Sequence, residues 1–146
     1  NGMLAVSHAD GVLHDTTVDG QAAWVIGQAP NGYLYVQISD KVAFDVTRPV
    51  VVTVTYRGDQ GAQLFVEYYG DAGSYTSTSR VTIEDAADWK TVRYRLDDAR
   101  FVNSQNSGAD LRLTPVGGQV YIREVAVGSA EEQVIPTFEV VHGGGE

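Results

Sequence analysis

The sequence predicts an all-β fold, a two-sheet antiparallel β-sandwich of jelly-roll type. Three observations lead there. Apolar and polar residues alternate with period two in a series of short runs. Turn-forming residues separate those runs, among them Asn31-Gly32, Gly70 to Gly73 and Gly117-Gly118. No segment carries the 3.6-residue period of an amphipathic helix, and short strands without helices build a sandwich or a barrel. Connections of unequal length, such as 97–109, suit crossings between two sheets better than an up-and-down meander.

The clearest strands are YLYVQIS (33–39), VVVTVTY (50–56), QLFVEYY (63–69), RVTI (80–83), KTVRYRL (90–96), DLRL (110–113) and QVYIREVAV (119–127). Weaker candidates are GVLHD (11–15), TTVDG (16–20), AAWVIG (22–27) and TFEVV (137–141). The segments 70–79 and 101–110 read as loops, and DAADW (85–89) as one short helical turn. The sandwich is expected over residues 1–128. Residues 129–146 form a linker or tail, to which TFEVV can add an edge strand; Pro136 disfavours a central position for it.

Composition narrows the function. Of the 146 residues 43% are hydrophobic and 20% charged, a globular balance. There is no cysteine, which excludes disulfide scaffolds, zinc–cysteine sites and thiol catalysis. The formal charge of −9 disfavours nucleic acid and anionic membranes as partners. No apolar run approaches the roughly 18 residues of a membrane-spanning helix. The opening NGMLAVSHADG has no basic start and no long apolar stretch, so a secretory signal would precede it.

Catalytic patterns are lacking. There is no G-x-S-x-G, no glycine-rich phosphate loop and no pair of carboxylates in a recognisable context. His8 and His14 are spaced by six around an Asp-Gly turn, unlike the usual spacing of zinc ligands. The chain is not expected to be an enzyme. Asp10, Asp15, Asp19, Asp40 and Asp45 lie in or near turns and leave room for a structural Ca2+, which takes six to eight hard oxygens, but their spacing names no site. Arg57-Gly58-Asp59 reads as a turn.

Alternation sends Val50, Val52, Val54, Tyr56, Leu34, Val36, Ile38, Leu64, Val66, Tyr68, Val92, Tyr94, Leu96, Leu111 and Leu113 inward. Val120 and Ile122 share a face with Val125 and Val127 only if the strand bulges near Arg123-Glu124. The outward set is Tyr33, Tyr35, Gln37, Phe65, Glu67, Tyr69, Arg93, Arg95 and Arg112. Flat aromatics beside Arg, Glu and Gln suit a sugar, whose C–H face stacks on a ring while its hydroxyls hydrogen-bond. The plainer alternative is cross-strand pairs on a solvated sheet. Asp71 and Tyr75 in one loop, and Asn103, Gln105 and Asn106 in the other, are a second candidate site; turn formation accounts for the amides equally well.

The stretches DKVAFDVTRPVVVTVTYRG (40–58), WKTVRYRLDDARFVNSQNSGADLRL (89–113) and VYIREVAV (120–127) resemble the jelly-roll carbohydrate-binding modules that accompany bacterial glycoside hydrolases and polysaccharide lyases. The resemblance runs from about 33 to 127 and is strongest over 89–113. It implies a secreted, non-catalytic module that targets a polysaccharide-degrading parent enzyme to its glycan. Its partners would be a polysaccharide and the catalytic domain of the same chain. The acidic balance favours a neutral, β-glucan-like ligand, and a cluster of Arg93, Arg95 and Arg112 would admit an acidic one. The alternative is a structural sandwich that packs on a catalytic domain and binds no sugar.

Overall fold

A computed structural model describes residues 3–11, 13–28, 32–38, 49–130 and 138–141. The strands are β1 (Met3–Val6), β2 (Asp15–Val18), β3 (Gln21–Ile26), β4 (Leu34–Ile38), β5 (Val50–Gly58), β6 (Gln63–Gly70), β7 (Gly73–Ser77), β8 (Val81–Thr82), β9 (Lys90–Leu96), β10 (Leu111–Val116), β11 (Val120–Ser129) and β12 (Phe138–Val141). They form two antiparallel sheets. The first runs β1-β4-β10-β6-β7, with β8 also on β6. The second runs β2-β3-β11-β5-β9, with β12 also on β11. Successive strands cross repeatedly between the sheets, as the unequal connections predict.

Facing side chains of the two sheets make the core. From the first come Leu34, Val36, Leu64, Val66, Leu111 and Leu113; from the second come Val52, Val54, Tyr94, Val120, Ile122 and Val125. β5 shows the cause most plainly: its residues alternate between buried and half-buried over its whole length. The condition set for β11 is met, since its pairing with β5 shifts register between Ile122 and Glu124. The bulge returns Val125 and Val127 to the face of Ile122.

Four elements differ from expectation, the first being GVLHD, whose described residues Gly11, Leu13 and His14 lie outside the strands. Met3–Val6 pairs with β4, although nothing in its short run alternates. Residues within the expected 70–79 loop form β7, an edge strand on β6. An edge strand of Ser, Thr and Tyr needs no apolar alternation, because it faces solvent along one side. Residues 86–88 form a turn rather than a helical one, with the Ala87 N–H donating to the Asp85 carboxylate. Phe138–Val141 pairs with β11 beside the end of β3, each occupying its own stretch of the same edge.

The long 97–110 connection is held by Asp110, which is 2% exposed. Its Oδ2 accepts the Ile38 N–H at 2.8 Å and its Oδ1 accepts the Asn103 N–H at 2.8 Å. Asn103 sits at φ +58°, which lets the chain turn back onto that carboxylate. Asp110→Ala would strand both N–H groups, and a buried unsatisfied donor costs about 1–3 kcal/mol. Urea unfolding is expected to show a loss of about 2–4 kcal/mol for Asp110→Ala and a smaller one for Asp110→Asn, which keeps an acceptor. Equal, negligible losses would contradict this.

Candidate functional site

The outer face of the first sheet carries a row of large polar residues. Register sets Tyr35 of β4 opposite Arg112 of β10, and Arg112 opposite Glu67 of β6. One step along, Thr114 lies opposite Phe65. Alternation that buries Leu111 and Leu113 therefore turns Arg112 and Thr114 outward together.

Outward does not mean exposed here. Tyr35 is 0% exposed, and the side chains of Arg112 and Glu67 are 16% and 10% exposed. Glu67 Oε1 accepts Arg112 Nε at 2.8 Å, Arg112 Nη2 at 2.7 Å and the Thr114 hydroxyl at 2.6 Å. All three donors reach the same oxygen, and no described residue donates to Oε2. The guanidinium lies over two rings, 4.3 Å from the centroid of Tyr33 and 4.1 Å from that of Tyr75. Tyr33 stands just before β4 and Tyr75 on β7, across β6 from β10, so the guanidinium has aromatic neighbours from both sides of its strand and lies in an aromatic slot. Burial works against its charge, but hydrogen bonds with Tyr35 and Glu67 outweigh that and hold its pKa above the ordinary arginine value.

Two segments fold over this row. Tyr35 donates its hydroxyl proton to Asp10 Oδ1 at 3.0 Å and accepts Asn106 Nδ2 at 3.0 Å. Burial pushes that hydroxyl above the ordinary tyrosine range. The Asn106 N–H reaches the Tyr75 hydroxyl at 3.2 Å, at the start of the 3₁₀ turn Asn106–Gly108. Next to it, Ser107 donates to the Ser7 carbonyl at 3.0 Å while His8 Nδ1 lies 2.8 Å from the same hydroxyl. Since the Ser107 proton is used on Ser7, His8 is the donor in that pair. Gly11 is required here: a Cβ on it would lie 2.7 Å from the Tyr35 ring. Gln105, 5% exposed, donates from Nε2 to the carbonyls of Glu67 (3.0 Å) and Ser74 (2.9 Å), tying the loop to β6 and β7.

The structure thus gathers Tyr33, Tyr35, Glu67, Tyr75, Gln105, Asn106 and Arg112 in one place, and the two expected sites, sheet face and loop, are one. Others stand apart. Phe65 lies on the same face under Arg80, whose guanidinium is 5.0 Å from its ring centroid. Tyr69 sits toward the far end of β6, 5.9 Å from the Arg100 guanidinium. Asn103 serves the Asp110 turn. Asp71 is exposed in the β6–β7 turn, where its N–H donates to Asp98 Oδ2 at 2.8 Å. The Tyr68 hydroxyl donates to Asp98 Oδ1 at 2.7 Å; burial first, then Asp98, raises the Tyr68 pKa.

Arg93 and Arg95 require a correction. They belong to β9, in the second sheet, and point out from the opposite side of the sandwich. Arg95 pairs there with Asp97 at 2.9 Å. The cluster with Arg112 does not form, because alternation fixes which way a side chain points from its sheet but not which sheet holds it. Trp24, for its part, is in the core. Asp10, Thr114, His8 and Ser107 are the site residues that sequence reasoning missed. Thr114 alone had a readable signal, its two-residue spacing from Arg112. Among the described residues no three His, Asp or Glu side chains gather to hold a metal ion, and Asp40 and Asp45 lie outside them. No described helix is long and apolar enough to cross a membrane.

No protein-family model and no curated protein sequence matches the chain. Solved structures do. A CBM4 carbohydrate-binding module is similar to it with a TM-score of 0.53 and 11% identity, over 88% of this chain and 94% of that one. This chain has the fold of a jelly-roll carbohydrate-binding module. The CBM22-1 xylan-binding domain from Paenibacillus barcinonensis Xyn10C has a TM-score of 0.48 and 13% identity, over 86% of this chain and 84% of that one.

Within this sandwich the Arg112–Glu67 pair should be the costliest to break, since removing one partner of a buried pair leaves a charge uncompensated. Glu67→Ala is expected to lower unfolding stability by about 3 kcal/mol, and Glu67→Gln by less, because its amide oxygen still accepts. Denaturant curves of the two variants that overlay the parent's would contradict this.

Proposed function

We propose that the chain is a non-catalytic carbohydrate-binding module that holds a secreted polysaccharide-degrading enzyme, encoded in the same chain, on its glycan. The observation that carries this reading is the Tyr33–Arg112–Tyr75 stack beside Glu67 on the outer face of the first sheet. Aromatic C–H stacking supplies the apolar part of sugar recognition. Glu67 Oε2, the acceptor that the internal network leaves over, takes a hydroxyl in a charge-assisted bond. Targeting then acts by raising the local concentration of substrate around the linked catalytic domain.

Charge favours a neutral, β-glucan-like ligand. Arg112 is neutralised by Glu67, Asp10 adds a carboxylate to the same face, and the chain carries −9 overall. With Arg93 and Arg95 on the other sheet, the expected cluster of these two with Arg112 is not there to take an acidic glycan. A structural Ca2+ is an additional element of the proposal, and the chelator arm below tests it. One observation favours a second reading, a structural sandwich that binds no sugar: Tyr35 is buried and the Arg112 guanidinium already has an aromatic ring on either side.

Affinity gel electrophoresis distinguishes the two. Gels would contain barley β-glucan, konjac glucomannan or polygalacturonate, each with and without EDTA. The expected result is retardation by a neutral glycan, weakened about five- to tenfold by Tyr33→Ala and by Tyr75→Ala, the worth of one aromatic contact. Arg93→Ala should leave it unchanged. Mobility unaffected by every glycan would favour the structural reading. Retardation by polygalacturonate alone would overturn the neutral-ligand assignment.

A further inference from the structure

Beside the aromatic slot, past Tyr33, lies an open cleft of about 460 Å³, walled by Asp10, Gly27, Gln28, Gly32, Tyr33 and Pro115. That volume falls within the range of small-ligand sites, roughly 300–1,000 Å³. Its walls combine what a neutral sugar needs. Tyr33 and Pro115 are apolar and flat. Gly27 and Gly32 contribute bare backbone to its walls, and a Cβ on Gly27 would lie 2.5 Å from the Gly118 carbonyl oxygen.

The polar groups are fixed in orientation. Gln28 Oε1 accepts Gln119 Nε2 at 2.6 Å, so the amide must offer its Nε2 as a donor. Asp10 Oδ1 is occupied by the Tyr35 hydroxyl at 3.0 Å, which leaves Oδ2 as an acceptor. The cleft thus sets a carboxylate oxygen and an amide donor beside an aromatic ring, with no Lys or Arg among the described residues of its lining. A uronate or sulfate would meet the Asp10 carboxylate, and no described residue of the lining carries a cation to offset it. A neutral hexose can donate one hydroxyl to Asp10 and accept from Gln28 with the next.

We infer that this cleft is a second subsite, in which Asp10 and Gln28 bind a neutral hexose unit adjacent to the one on the Tyr33–Arg112–Tyr75 face. The inference rests on the proposed glycan-binding function. Tyr33 is the shared wall: Arg112 covers the ring on one side, and the cleft lies against it as well. The Tyr35–Asp10 bond couples the two subsites, because the same hydroxyl also accepts from Asn106 and lies 3.5 Å from Arg112 Nη1.

The test is affinity electrophoresis in barley β-glucan with four variants. Gln28→Trp fills the cleft. Gln28→Ala removes the donor. Gln119→Ala breaks the same Gln28 bond without entering the cleft, and Tyr75→Ala reports on the aromatic slot alone. The inference expects Gln28→Ala to weaken retardation about fivefold, the worth of one hydrogen bond, Gln28→Trp to weaken it more, and Gln119→Ala, which only frees the Gln28 amide, to weaken it less than Gln28→Ala. Thermal unfolding should not separate Gln28→Ala from Gln119→Ala. Parental retardation by both Gln28 variants, with loss in Tyr75→Ala, would overturn the subsite and leave the glycan-binding reading standing. No retardation of the parent protein here or in konjac glucomannan or polygalacturonate would overturn both.

Discussion

A guanidinium that is largely buried on a sheet face needs a carboxylate beside it, and the rest of this site is arranged around that need. Arg112 and Glu67 meet because β10 and β6 pair in a register that puts them opposite each other. Glu67 meets the demand with one oxygen, and Thr114 joins the same oxygen. The cation then lies over the rings of Tyr33 and Tyr75, since a guanidinium is less strongly hydrated than an ammonium and tolerates aromatic neighbours. A lysine at 112 would fill neither the slot nor the fork.

The covering segments follow from the same constraint. A polar row this large cannot remain under protein without partners, so the chain supplies them from afar. Asp10 and Asn106 complete the Tyr35 hydroxyl, and Gln105 caps backbone carbonyls of β6 and of β7. The clasp between His8 and Ser107 spans 99 residues of sequence and brings the opening turn against the 3₁₀ turn. What results is a polar layer outside the hydrophobic core, largely satisfied, with Glu67 Oε2, Gln105 Oε1 and the rims of two tyrosines left over. Such preorganisation lowers the ordering cost of binding a flexible glycan.

Much of this was legible in the sequence, and what was not has physical reasons. The alternation in YLYVQIS, QLFVEYY and DLRL gives the faces of β4, β6 and β10, and with them Tyr35, Glu67 and Arg112. The β11 bulge follows from a break in the same alternation. Period two, however, says nothing about which sheet a strand joins, and so it does not separate Arg93 and Arg95 from Arg112, which lies across the thickness of the sandwich. Nor does it detect β7, whose Ser, Tyr and Thr residues are half-exposed along an edge. Burial of the outward row was illegible too. It depends on the 7–11 and 101–110 segments meeting over the sheet, a tertiary event with no local signature beyond glycines such as Gly11.

The central claim is that the outer face of the first sheet, organised by Arg112, is where a neutral glycan binds. The most direct test is a heteronuclear NMR titration of the protein with oligosaccharides from barley β-glucan. The account predicts shift changes in the side-chain and backbone signals of Tyr33, Glu67, Tyr75 and Arg112, with Arg93 and Arg95 on the far sheet unmoved. Changes confined to the far sheet, or none at saturating oligosaccharide, would contradict it.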